Sequence, residues 1–216
     1  MSAPIWMTGE QQSAGWLRER IGCLTASRMA DAIDFLKGGK ESAKRRGYKI
    51  ELCAERMTDM AVSRFVTDAM AWGIEREPHA RARYEEITGN LVQPCGFAIH
   101  GDIPFFGASP DGLVGEDGLV EIKCPTTATF VEWCAGGIVP PQHEPQMLAQ
   151  LAVTGRKWVD FFAFDPRVKV RECQSFLRRF EPKAEDIAAV EDAARKFLEE
   201  TDALFFSIVE GKGVAE

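Results

Sequence analysis

At 216 residues the chain has room for one sizeable domain, and its 45% hydrophobic and 27% charged residues exclude a disordered, collagen-like or disulfide-stapled polypeptide. No apolar run approaches the roughly 18–20 residues needed to span a bilayer, and the first residues lack the basic and apolar regions of an export signal, so a cytoplasmic protein with no membrane partner is expected. The net charge of −7 is uneven, because residues 181–216 alone carry ten acids against four bases.

In chain order, the first third reads as helical: Gln11–Arg20, then Arg28–Phe35 behind the capping residues Thr25 and Ser27. Gly38-Gly39 breaks the pattern, and it resumes at Tyr48–Met60. Between them Lys37, Lys40, Lys44, Arg45, Arg46 and Lys49 face a single acid, Glu41. Such a patch can hold a phosphate backbone on an acidic protein, since affinity follows the phosphates contacted, or it can be an ordinary solvated face. A further helix spans Thr67–Thr88, with Pro78 expected to kink it or start a new turn.

From Leu91 the apolar period becomes two, which predicts strands at Leu91–Ile99, Pro104–Ala108, Gly118–Cys124, Lys157–Phe164 and, at an edge, Gln174–Phe180. Helices are expected at Thr126–Ala135, Glu144–Val153 and, strongly amphipathic, Lys183–Val209. The expected fold is one α/β domain, a central mixed β-sheet flanked by helices. A mainly helical part (1–90) precedes the sheet (91–180), and a C-terminal helix (181–216) follows it. The six cysteines show no C-x-x-C spacing and read as free thiols.

Chemistry concentrates in Ser109-Pro110-Asp111-Gly112 and the strand Gly118–Cys124. Alternation puts Glu121 and Lys123 on one face of that strand, and Val120, Ile122 and Cys124 on the other. Asp111, on the turn before the adjoining hairpin, can reach the same edge. Two carboxylates and an ammonium there suit Mg²⁺ or Mn²⁺, which take part of their shell from substrate phosphate. A hairpin with a cross-strand salt bridge would give the same spacing.

Pro110-Asp111, Glu121 and Lys123 resemble the PD-(D/E)xK nuclease signature. More narrowly, the chain resembles the lambda-type alkaline exonucleases of phage recombination. Arg20-Ile21-Gly22-Cys23-Leu24-Thr25-Ala26-Ser27 is similar to that family's R-x-G-x-x-T-A-S segment, and Ala71-Trp72-Gly73 with Glu77 to its A-W-G-x-x-x-E helix. Gln146, Val153-Thr154 and Phe164-Asp165-Pro166-Arg167 continue the likeness in order.

The resemblance implies that Asp111, Glu121 and the Ile122 carbonyl hold one metal ion, that Glu77 completes a second site with Asp111, and that Lys123 positions the attacking water. It implies that Arg20, Thr25, Ser27, Ser109 and Gln146 grip a terminal 5′-phosphate. Leu148 stands where the family has a second glutamine. Met70 reads as core or as a wedge between terminal bases, Trp72, Trp133 and Trp158 as core, and the three histidines as structural. The activity so implied is Mg²⁺-dependent 5′-to-3′ digestion of linear double-stranded DNA by a homotrimer. It would leave 3′ single strands for an annealing protein in a bacterial host cell. An endonuclease of the same superfamily and a non-cleaving DNA-end-binding module are the alternatives.

Overall fold

The computed structural model describes residues 2–62 and 67–211, and it leaves the side chains of Ala69 and Met70 undescribed. Strand β1 (Ile5–Trp6) precedes helix α1 (Ala14–Glu19), whose N-terminus is capped by the Ser13 hydroxyl. Strand β2 (Leu24–Thr25) runs through a short 3₁₀ turn into α2 (Met29–Ala32). Helices α3 (Ala43–Thr58) and α4 (Asp68–Thr88) follow. Five short strands come next: β3 (Val92–Gln93), β4 (Ala98–Ile99), β5 (Phe106–Ala108), β6 (Gly112–Val114) and β7 (Gly118–Lys123). Then come α5 (Thr127–Gly136), α6 (Glu144–Thr154), β8 (Trp158–Phe164), β9 (Ser175–Phe180) and α7 (Ala184–Gly211).

The strands form two mixed sheets where one was expected, in the orders β1-β4-β5-β2 and β3-β6-β7-β8-β9. The division falls inside the predicted strand Leu91–Ile99. Pro94 has no N–H to continue a ladder, and a Cβ on Gly96 would stand within 2.9 Å of the Met7 and Gly9 carbonyls. The chain therefore leaves the larger sheet after β3 and enters the smaller one at β4. Strands β1, β2 and β6 are too short to show a period of two.

Strand β7 is the spine of the larger sheet, antiparallel to β6 and parallel to β8. Its Val120 and Ile122 pack with Phe162 against Ala80 and Tyr84 of α4. Leu119 points the other way, with Phe161 and Ala163, against Phe130 of α5 and Met147 and Leu151 of α6. Glu121 shares the Leu119 face, so besides Lys123 of its own strand the polar side chains it meets come from α6. At about 25 cal/mol per Å² of apolar area, this two-sided burial anchors β7 in the core.

Helices α2 and α3 depart from expectation. α2 is a single turn, and Thr25 sits at the start of the preceding 3₁₀ turn without a side-chain capping bond. α3 begins five residues before Tyr48 because the Ser42 hydroxyl accepts the Arg45 N–H at 3.1 Å. α4 runs unbroken through Pro78. The Ile74 carbonyl that loses its bond there belongs to a half-exposed residue, where water can replace the partner.

Two of the six bases of the expected patch are neutralised from within. Arg45 is buried and donates to Glu41 and to Glu200 of α7, both at 2.6 Å, while Lys49 donates to Glu200 at 3.0 Å. Arg56, seven residues after Lys49, pairs with Asp202 of α7. The acidic C-terminal helix thus lies on the basic helix, and only Lys37, Lys40, Lys44 and Arg46 stay exposed.

Candidate active site

The turn Ser109–Asp111 joins the two sheets, and each of its residues is gripped from elsewhere. Ser109 Oγ accepts from Trp16 Nε1 at 2.8 Å and from Arg20 Nη1 at 3.1 Å. The Pro110 carbonyl accepts from Gln11 at 2.7 Å, and the Asp111 carbonyl from Arg81 at 3.1 Å. Asp111 Oδ2 in turn accepts the Ile122 N–H at 2.7 Å, which fixes the carboxylate beside the strand that carries Glu121 and Lys123.

Glu121 is 1% exposed, and both its oxygens are occupied. Oε1 accepts from Lys123 Nζ and from Gln146 Nε2, the latter at 2.7 Å; Oε2 accepts from Gln150 Nε2 at 2.6 Å. The fully buried Gln150 escaped the sequence reading. Its signal was the i, i+4 spacing from Gln146, which puts both amides on one face of α6.

Burial raises the Asp111 carboxyl well above its ordinary range, and the neighbouring Glu121 and Glu77 charges add to the rise against the pull of Lys123. Burial alone would depress the Lys123 ammonium, but Glu121 and Asp111, with Glu77, outweigh it and hold the lysine protonated. Glu77 comes from α4, where Arg81 one turn on donates to it at 2.9 Å. Among the described residues no three His, Cys, Asp or Glu side chains enclose an ion by themselves. A cation here would complete its shell from water, backbone and substrate. The hard oxygen donors and the crowding of negative charge fit an ion of the Mg²⁺ kind.

All of Asp111, Glu121, Ile122, Lys123, Glu77, Arg20, Thr25, Ser27, Ser109 and Gln146 line one cavity of about 740 Å³. The Arg20 guanidinium stacks on Trp16 at 4.1 Å, one helical turn away. The loop after it is held at Gly22, whose φ of 69° suits glycine; Glu55 accepts its N–H at 2.8 Å and Arg56 donates to its carbonyl at 3.0 Å. Thr25 and Ser27 hydroxyls lie 3.3 Å apart. Gln146 stands against Glu121. The Met70 side chain lies outside the described residues. Trp133 packs on Phe161, and Trp158 fills the space beside Gly118. Trp72, expected in the core, lies instead 4.6 Å from each of the Arg76 and Arg167 guanidiniums. His100 accepts two backbone N–H groups of its own loop, and His143 packs between Trp133 and Phe161.

Residues 15–157 match the YqaJ-like viral recombinase domain. Comparison with curated proteins finds no match. Among solved structures, the chain is similar to an alkaline exonuclease, LHK-Exo, from Laribacter hongkongensis, at 39% identity and a TM-score of 0.86 over 93% of this chain and 98% of that one. The same exonuclease in complex with dAMP matches equally. A phage-related exonuclease from Haemophilus somnus shares the fold alone, at 12% identity and a TM-score of 0.63 over 86% of this chain and 96% of that one. With its PD-(D/E)xK residues drawn into one cavity on this fold, the chain belongs to the YqaJ-like viral recombinase family and is a lambda-exonuclease-like nuclease.

Proposed function

We propose that this nuclease is a Mg²⁺-dependent 5′-to-3′ exonuclease of linear double-stranded DNA, leaving 3′ single strands for recombination by strand annealing. The observation that carries this reading is the shared Ser109: Arg20 bonds to its hydroxyl, two residues before Asp111. A group suited to a terminal phosphate thus adjoins a carboxylate suited to a metal, as stepwise removal from an end requires. The dAMP bound by the Laribacter exonuclease supports an occupant of nucleotide size.

Asp111, Glu121 and the Ile122 carbonyl would hold one cation, and Glu77 with Asp111 a second. When bound, the ions supply charge neutralisation on the scissile phosphate and a clamp on its attacking and leaving oxygens. Lys123, kept protonated by its carboxylates, is a hydrogen-bond donor that orients the attacking water. Arg20 takes the terminal phosphate by a charge-assisted hydrogen bond, with Thr25, Ser27 and Ser109 as neutral donors. Gln146 serves this site through Glu121.

The test is digestion of 5′-labelled linear duplex and of closed circular DNA, with and without Mg²⁺. Release of labelled mononucleotide from the linear form alone, only with the cation, is expected. Cutting of the circle would make the protein an endonuclease, and binding without cleavage an end-binding module. A chain of net charge −7 holds a polyanion poorly as one copy, so we further propose a homotrimeric ring about the DNA, working beside an annealing protein. Sedimentation is expected to give a trimer; a stable monomer at micromolar concentration would remove the ring and leave the chemistry standing.

A further inference from the structure

We infer that Gln150 is a positioning residue for Glu121, fixing which carboxylate oxygen is presented to a bound cation; this rests on the metal-dependent reading above. Gln150 is fully buried on α6, with Ala149 and Leu151 beside it in the core. A primary amide in such a place is costly unless its partners repay the lost water. Packing alone would be served better by leucine or methionine. Yet Nε2 donates to Glu121 Oε2 at 2.6 Å, and Oε1 has no donor among the described residues. A glutamine kept for structure would satisfy both ends. This one aims its amide at a single carboxylate, and its carbonyl meets no donor among the described residues.

The lone pairs of Glu121 show what the contact does. A carboxylate offers about two acceptor sites on each oxygen. Lys123 and Gln146 both donate to Oε1, which fills it. Gln150 takes one site on Oε2, leaving the other open. Gln146 and Gln150, four residues apart on one helix, therefore hold the carboxylate from both oxygens and leave Oε2 as the atom that can ligate. Without Gln150 the carboxylate keeps two donors on Oε1 and is free to turn about that anchor. Partners of this kind typically change metal affinity 10–100-fold when lost.

The experiment compares the parent with Gln150→Met, which conserves volume and removes the donor. Mn²⁺ is titrated calorimetrically into DNA-free protein, and kcat and KM are measured on a 5′-phosphorylated linear duplex. Circular dichroism and thermal melting check the fold. The expected result is an unchanged fold, Mn²⁺ binding weakened about tenfold or more, and a fall in kcat with KM for DNA within about twofold of the parent. Mn²⁺ binding equal to that of the parent would overturn the assignment and leave the metal-dependent reading intact. A parent that shows no saturable Mn²⁺ binding would overturn both. Should Gln150→Met not fold, Gln150→Asn withdraws the donor by one methylene and is read by the same titration. The same loss supports the assignment, and parental binding refutes it.

Discussion

The Ile122 N–H donates to Asp111 Oδ2 at 2.7 Å, so the carboxylate of the turn is tied to the backbone of the strand that bears Glu121 and Lys123. Strand and turn cannot shift independently, and the spacing of the acidic groups is set by backbone geometry. Asp111→Asn keeps the shape and loses the charge. Several kcal/mol of transition-state stabilisation should go with it, on the order of a thousandfold in rate. Thermal melting without divalent cation should show no loss of stability, because the substitution relieves the crowding that raises the Asp111 carboxyl. Substantial cation-dependent hydrolysis by this variant would end its role as a metal ligand.

Arg20 reaches Ser109 at 3.1 Å while stacked on Trp16. A 5′-phosphorylated duplex should be digested faster than one ending in a hydroxyl. Arg20→Ala should remove most of that preference, since a hydrogen bond to a charged group contributes about 1.5–3 kcal/mol, roughly tenfold to a hundredfold. Equal rates on both ends in the parent would rule out a phosphate contact there.

Burial depresses the His143 imidazole to about 4, with the Lys123 ammonium adding to the effect. The folded state then binds fewer protons than the unfolded chain between about pH 4 and the ordinary histidine value near 6.5. Stability from this group is complete above that window and declines as the pH falls through it. His143→Phe keeps an aromatic ring against Trp133 and Phe161, and it should flatten the dependence of Tm on pH across this interval. A slope identical to the parent's would assign the pH dependence to other groups.

The Arg45 side chain joins α3, Glu41 and α7 at one buried point, and its Nε also donates to the Ala32 carbonyl at 2.8 Å. Arg45→Met leaves two carboxylates and a carbonyl without that donor. Urea unfolding should show a loss of about 1–3 kcal/mol, the cost of leaving the buried Ala32 carbonyl without its donor, while Lys49 still pairs with both carboxylates. Glu200→Gln, at a partly exposed partner, should lose no more than about 1 kcal/mol. Equal losses for the two would show that the cluster is held by something other than burial of Arg45.

Asp111, Glu121 and Lys123 were legible because a strand reports its faces through a period of two, and a tight turn reports itself through Pro-Asp-Gly. Arg20 and Glu77, far apart in the chain, were legible only through resemblance to a family, since nothing local marks them as neighbours of Asp111. Gln150 and Arg81 went unread. Each sits on a helix among residues that periodicity explains without them, and their partners lie 29 and 30 residues away. The split of one expected sheet into two was signalled by Pro94 and Gly96, but which sheet each short strand joins depends on contacts with the N-terminal segment.

By itself, then, the sequence determined the long helices, the strands β7 and β8 but not their pairing, and the type of chemistry, because propensity, alternation and turn residues act over a few positions. Which charges meet was decided only by tertiary structure. The segment rich in lysine and arginine reads as a patch for phosphate, yet packing of α7 on α3 brings Glu200 to Arg45 and Lys49 and neutralises them. Asp111, Glu121 and Glu77 are brought together beside Lys123 and Arg81, and their mutual repulsion adds to burial in raising the Asp111 carboxyl. Coulomb energy depends on distance and on the solvent left between charges, and a linear order of residues fixes neither.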